Sequence, residues 1–536
     1  MKRPIVPTLS EGCFLTLFIL LSLFYHFLVG IQGFDMYDEG WSLTGFQQIF
    51  NAPDSVEYLF LYYLTNIFGG VWEQLFGFGG IYSFRILTGI ILTLTAVIVW
   101  LMLRPYFNRW CILLGTLASF LCCYYGIMVF YHNYLTALIT TAAAYTLFLS
   151  ITRTDYRWMM VSGFLIGCNI FVRLPNITQT ALILLLIPYY IYMRKIHQTL
   201  KLLCCGIGGF ILGILSVVAF MLIAGHFDIF VSAISSGLSA ASDSDSTHNL
   251  AEMSARYLFV YRIIFTQGIF SNVYSAYLLG TCACLWVLLF RRKNAHLVYL
   301  ACITLCIMHL LPVGSDAGVQ NMGENCIYLS VPFTVGIIWH ELSLFPLHHR
   351  VRTTMQLLFV CFGILFYVRG GYNIMKQCYF DEGSRMEKTF LPEASLATTY
   401  TTEQNCQQLN TILRELQRYV KPDDTLLCFQ NTPSLHYLTK TRPYLGNPWV
   451  WSFTPHVMEQ KFIEAENSGR PLPVIVREKS MIPYWTRYYS NWNNDHALED
   501  YFHKNKKITL INQFIHRHNY RVVWEDEVFQ LLTTNH

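Results

Sequence analysis

The segment Asp35-Met36-Tyr37-Asp38-Glu39-Gly40-Trp41 places three carboxylates within five positions, directly after the first long apolar segment, Phe14 to Ile31. A carboxylate beside a bilayer is costly to desolvate unless it faces water, a partner or a substrate. Such a group can act as a general base, taking the proton from an attacking hydroxyl or amine. Carboxylates with water also hold Mg²⁺ or Mn²⁺, and Asp35 could complete such a site with Asp38. Each acid has a structural explanation as well. Asp38 can cap a helix that begins near Trp41, Glu39 can be a first-turn helix acid, and Asp35 a loop acid.

The elements that must position these acids are membrane helices. The chain has 536 residues, 54% hydrophobic and only 13% charged, with a mean hydropathy of +0.38; an average soluble protein carries about 25% charged residues. Apolar runs of spanning length predict eleven spans: Phe14–Ile31, Tyr82–Leu103, Trp110–Phe130, Asn133–Ile151, Trp158–Val172, Ile177–Met193, Leu202–Ala224, Ile269–Phe290, Ala295–Val313, Cys326–Leu344 and Met355–Val368. Lys2/Arg3, Arg104/Arg109, Arg153/Arg157, Arg194/Lys195/Lys201, Arg291/Arg292/Lys293 and Arg350/Arg352 fall on alternate connections, so all can be cytoplasmic at once. The first span then reads as a retained signal anchor. The loops Gln32–Ile81 and His226–Gly268 and the C-terminus lie outside. The basic residues report topology, and nucleic acid is not an expected partner.

Within the first outer loop, Leu43, Phe46 and Phe50 recur at helical spacing. Trp41–Phe50 and Tyr58–Phe76 are predicted to be helices lying along the membrane surface. Beyond residue 370 the composition changes. Residues 371–536 are expected to form a small α/β domain, with helices at Asn405–Val420 and His456–Glu466, strands at Thr425–Phe429 and Pro473–Val476, and a hairpin of Tyr520–Trp524 with Val528–Leu532. The sequence shows no GxGxxG, P-loop, nucleophile elbow or zinc-type Cys/His spacing. Cys378, Cys406 and Cys428 allow one disulfide in this domain. The fold class is thus mainly α, a polytopic bundle over 1–370 with a C-terminal α/β domain.

Several other charges fall on the outer side. Arg173 lies at the outer end of the fifth span, where the positive-inside bias would not put it. Arg85 opens the second span. The second outer loop carries Asp228, Asp243, Asp245, His248, Glu252, Arg256 and Arg262, of which the two arginines suit a phosphate; Asp316 and Glu324 face the same side. His26, His309 and His340, in or near spans, read as packing residues.

An acid pair after the first span, two surface helices, a second span opening with arginine (Ser83-Phe84-Arg85-Ile86-Leu87) and Arg173-Leu174-Pro175 after the fifth span together resemble the GT-C superfamily of polytopic glycosyltransferases. The likeness is greatest to the protein O-mannosyltransferase and lipid A aminoarabinose transferase branch. It covers roughly the first 370 residues. One departure is visible: Asp54-Ser55-Val56-Glu57-Tyr58 stands where that branch often has His-Pro-Pro, which puts the acceptor contacts in question. The resemblance implies a polyprenyl-phosphate-linked sugar as donor, membrane lipid around the bundle, and a glycan, lipid or protein as acceptor. It implies Asp38 as base, with Glu39 orienting it or binding acceptor. Asp35, Arg85, Arg173, Arg256 and Arg262 become substrate-binding candidates, Arg173 toward the donor phosphate. This branch generally works without a metal, so no cofactor is expected, although Mg²⁺ or Mn²⁺ would suit the acids. The implied location is a bacterial inner membrane, with a cytoplasmic N-terminus and a periplasmic C-terminal domain. The competing readings are a lipid or oligosaccharide transporter or flippase, an O-antigen ligase-like enzyme, and a non-catalytic scaffold on the same fold.

Overall fold

Apolar runs in a bilayer must satisfy their backbone groups internally, and helices do so. The structure, a computed structural model, describes residues 10–123, 126–242, 250–267, 271–313, 323, 325–344, 348–381, 383–479 and 506–534. Its first part is helical: α1 (Glu11–Gly30), α2 (Asp38–Gln48), α3 (Tyr63–Phe76), α4 (Gly80–Leu103), α5 (Arg109–Phe120), α6 (His132–Arg153), α7 (Tyr156–Asn169), α8 (Leu186–Met193), α9 (Ile196–Ile223), α10 (Phe227–Ser242), α11 (Leu250–Gln267), α12 (Asn272–Phe290), α13 (Ala295–Leu310), α14 (Ser330–Leu344) and α15 (His349–Lys376). Tight 3-10 turns form Pro53–Tyr62 before α3 and Leu174–Leu185 before α8.

Among the described residues, seven helical runs are long and apolar enough to cross a membrane. They are α1, a run ending in α4, α6, the stretch Leu174–Met193, α9, α12 and α15. The other four expected spans coincide with α5, α7, α13 and α14, of 12, 14, 16 and 15 residues. At about 1.5 Å per residue the shortest reaches only about 18 Å of a roughly 30 Å hydrocarbon core. The largest difference is at α5. The apolar run suggested helix to Phe130, but the helix stops at Phe120, and the described residues 121–123 and 126–131 form neither helix nor strand.

Helices α7 and α9 approach backbone to backbone. A Cβ on Gly209 would lie 2.0 Å from the Met160 carbonyl oxygen, and one on Gly163 2.1 Å from that of Gly206. Small residues permit this contact where lipid supplies no hydrophobic drive. Gly209→Val should therefore separate the pair and destabilise the bundle by about 1–3 kcal/mol. Thermal unfolding in detergent reads this directly, and an unchanged transition would contradict the contact.

The C-terminal part contains α16 (Glu403–Leu416), β1 (Thr425–Phe429), α17 (Ser434–Thr439), β2 (Arg442–Pro443), α18 (Pro455–Asn467), β3 (Val474–Glu478), α19 (Lys506–Arg517), β4 (Arg521–Glu525) and β5 (Phe529–Thr533). The sheet order is β2-β1-β3-β5-β4. β1 is parallel to both β2 and β3, while β5 is antiparallel to β3 and β4. The expected helices, strands and hairpin all form, within a few residues. Cys378, Cys406 and Cys428 are buried and take part in no disulfide.

The expectation that α2 lies on a membrane surface is corrected. α17 packs on it, and a Cβ on Gly40 would fall 2.2 Å from the Ser434 nitrogen. Ser434 donates its backbone N–H to the Met36 carbonyl (3.1 Å) and its hydroxyl to that of Asp35 (2.9 Å). One apolar cluster runs from Phe14 and Trp100 through Leu43 and Phe46 of α2 to Leu435 and Tyr437 of α17 and Val476 of β3. Of the eleven residues of α2, only Asp38 and Trp41 are not buried. α3 fits the surface expectation better, exposing Phe68, Val71 and Leu75.

Candidate functional site

The three acids of the opening segment have different surroundings. Asp35 is fully buried. One of its carboxylate oxygens accepts the N–H of Tyr37 (2.7 Å) and the other that of Glu39 (2.9 Å). The helix-capping role that Asp38 might have filled belongs to Asp35, since Tyr37 at the N-cap of α2 gives no side-chain cap. With both oxygens turned to N–H groups, Asp35 is poorly placed to share a cation with Asp38.

Burial, then the charges of Asp38 and Glu39, hold the Asp35 carboxyl well above its ordinary value of 3.8. The folded chain thus keeps a proton that the unfolded chain releases, and stability falls as pH rises above the unfolded value. Asp35→Asn keeps one acceptor and removes that titration. Its melting temperature relative to the parent should therefore climb as pH rises from 4 toward neutrality. A pH-independent difference would contradict the shift.

Glu39 is buried in an ion pair with Arg85. Arg85 Nε donates to Glu39 Oε1 (3.0 Å) and Nη2 to Oε2 (2.7 Å). Oε1 also accepts the N–H of Val129 (2.8 Å). The rest of the Arg85 guanidinium donates to the carbonyls of Gly30, Gln32 and Gly33. This pair ties the acid segment to α4.

Asp38 is the half-buried acid, at the first position of α2. Its Oδ2 accepts the hydroxyl of Tyr379. Burial, followed by the charges of Asp38 and Asp35, pushes the Tyr379 phenol up, so it stays a hydrogen-bond donor at neutral pH. The strap after α15 holds this arrangement. Asp381 accepts the N–H of Phe34 (2.8 Å), pairs with Lys388 (3.3 Å), and accepts from Asn405 (2.8 Å).

A run of rings leads from Asp38 to Arg173. Tyr379 lies within electrostatic reach of Tyr131. The Tyr131 and His132 rings meet edge to face at 5.1 Å, and His132 stacks on Tyr62 at 4.3 Å. Tyr62 meets Trp41 at 5.3 Å, one turn along α2 from Asp38. The buried Arg173 acts electrostatically on His132. Arg173 sits where α7 gives way to the 3-10 segment, which is long for its type. Buried amides pin that segment: Asn169 donates to Gln179 (2.8 Å) and Asn176 to Thr136 (2.8 Å).

The structure therefore gathers Asp35, Asp38, Glu39 and Arg85 where the start of α2 meets α4, and Arg173 acts on His132 of the adjoining aromatic rings. Arg262 is exposed on α11, and no contact joins it to this cluster among the described residues. The side chain of Arg256 and residues Asp243, Asp245, His248, Asp316 and Glu324 lie outside the described residues, as does the side chain of Glu252. Asp228 is exposed. Tyr379, Tyr131, His132 and Tyr62 were missed by sequence reasoning. Tyr131-His132-Asn133-Tyr134, a polar aromatic run opening a span, was the one local signal available. His26 and His309 make hydrogen bonds to Ser22, and to Tyr261 and Thr281, as packing residues do.

No family model matches the sequence, and no similar curated protein was found.

Proposed function

We propose that the chain is a membrane glycosyltransferase of the GT-C kind, moving a sugar from a polyprenyl-phosphate donor to an acceptor hydroxyl or amine at the extracytoplasmic face. The observation that carries this reading is the division of labour among the acids. Asp35 caps α2 and Glu39 neutralises Arg85, which leaves Asp38 as the partly open carboxylate, oriented by Tyr379. A carboxylate so held can take the acceptor proton as the anomeric carbon is attacked. Arg173 supplies a fixed cation toward the departing lipid phosphate, across the same ring cluster.

An apolar cavity of about 630 Å³ between α5, α12, α14 and α15, lined by Leu114, Ile338 and Phe362 among others, suits the prenyl chain. Its wall α15 leads directly into Tyr379. The eleven-span topology, with α2 and the sheet domain outside, belongs to the same proposal, as does a bacterial inner-membrane location.

A transporter reading has one observation in its favour, the irregular helix at Leu174–Leu185 with its buried amides. Those amides are neutral and bonded to one another, whereas the acids cluster at the start of α2.

The test is donor turnover by purified protein. Arg173→Gln should weaken use of the polyprenyl-phosphate sugar by about 10- to 100-fold in kcat/KM, as expected for a lost charge-assisted contact. Unchanged kinetics would remove Arg173 from the donor site.

A further inference from the structure

In open sheets with parallel strands, ligands bind beyond the carboxyl ends where the chain departs to opposite sides. β1 is such a strand here: β2 lies parallel on one side and β3 parallel on the other. The residue leaving its carboxyl end, Gln430, has φ +76°, a conformation rare for a side chain other than glycine or asparagine. Gln430 is only 5% exposed, and its Oε1 accepts no hydrogen bond among the described residues. A buried amide left in that state costs free energy, and strain of this kind concentrates where ligands bind.

The neighbouring side chains share one chemistry. Asn431 accepts the indole N–H of Trp449 (3.1 Å). Trp449 donates its backbone N–H to Asn447 (3.1 Å), which also accepts the indole N–H of Trp41 (3.0 Å). The indole nitrogens are thus anchored at their edges, and both Trp449 and Trp41 are only partly buried. Trp41 is three residues from Asp38, on the same face of α2, and these two are the unburied residues of that helix. The set of two indoles and three amides carries no charge. Indole faces stack on the C–H faces of sugar rings, and amides pair with hydroxyls both as donor and as acceptor.

We propose that the carboxyl end of β1, with these amides and indoles, binds a neutral saccharide, the sugar portion of the acceptor, and delivers its reactive hydroxyl along Trp41 to Asp38. The word acceptor rests on the glycosyltransferase reading; the binding of a saccharide does not.

The experiment is saturation-transfer NMR on the full chain in detergent, with a panel of free di- and trisaccharides of hexoses and N-acetylhexosamines. At least one saccharide should bind the parent protein. Trp449→Ala and Gln430→Leu should weaken that binding by about tenfold or more. Thermal unfolding checks that the variants are folded. If Trp449→Ala does not fold, Trp449→Phe with Asn431→Ala decides the matter by the same loss. Binding by none of the panel, or equal binding by the folded variants, would overturn the proposal. Saccharide binding that persists while Asp38→Asn still transfers sugar would remove the catalytic reading and leave this site standing.

Discussion

Asp38→Asn should lower sugar transfer by about 10²- to 10⁴-fold, the range of a lost general base, while the protein melts as before. The replacement is nearly isosteric and keeps an oxygen for the Tyr379 hydroxyl. It removes no capping bond, because Asp35 caps α2. The neighbouring Glu39–Arg85 ion pair is left intact. Stability and activity are therefore separable at this position, which is unusual for an acid so close to a buried pair. A variant that unfolds would contradict the assignment of the cap to Asp35. A folded variant with full transfer would remove Asp38 as the base.

Glu39 should behave in the opposite way. Glu39→Ala leaves the Arg85 guanidinium uncompensated in a site where both residues are almost wholly inaccessible, 3% and 1% exposed. Removing one member of a buried pair costs about 3–5 kcal/mol. Replacing both by apolar side chains would not restore the loss, since the carbonyls of Gly30, Gln32 and Gly33 and the N–H of Val129 would lose their partners. Arg85→Lys should fail for the same reason, because three ammonium donors cannot replace five in a planar fork. Denaturation of Glu39→Ala measures the effect. A stable Glu39→Ala with abolished transfer would show that Glu39 acts on substrate and not as a brace.

Much of this frame was legible in the sequence. Apolar runs give helices at the expected places because lipid or a core must cover them, and the short apolar run Thr425–Phe429 gives a buried strand that forms with those bounds. The acid segment stood out because charge is scarce around it. The ranking of its acids was only partly legible. A cap at Asp35 and a cap at Asp38 fit the same spacing, and only the backbone path through Tyr37 decides between them. Arg85 could be read as a packing residue or as a phosphate ligand until its donors were traced to three carbonyls and one carboxylate. Tyr379 carried no local sign at all. It lies 341 positions from Asp38, brought there by the strap that Asp381 and Lys388 fix. The burial of α2 under α17 is likewise a long-range event, set by Gly40 and Ser434.

The most direct test is to incubate the purified protein with a panel of polyprenyl-phosphate sugars and follow donor consumption by mass spectrometry, with Asp38→Asn alongside. The account predicts that one donor is consumed by the parent protein and that the folded variant leaves it intact. Equal consumption by both proteins, or no consumption of any donor by the parent, would contradict it.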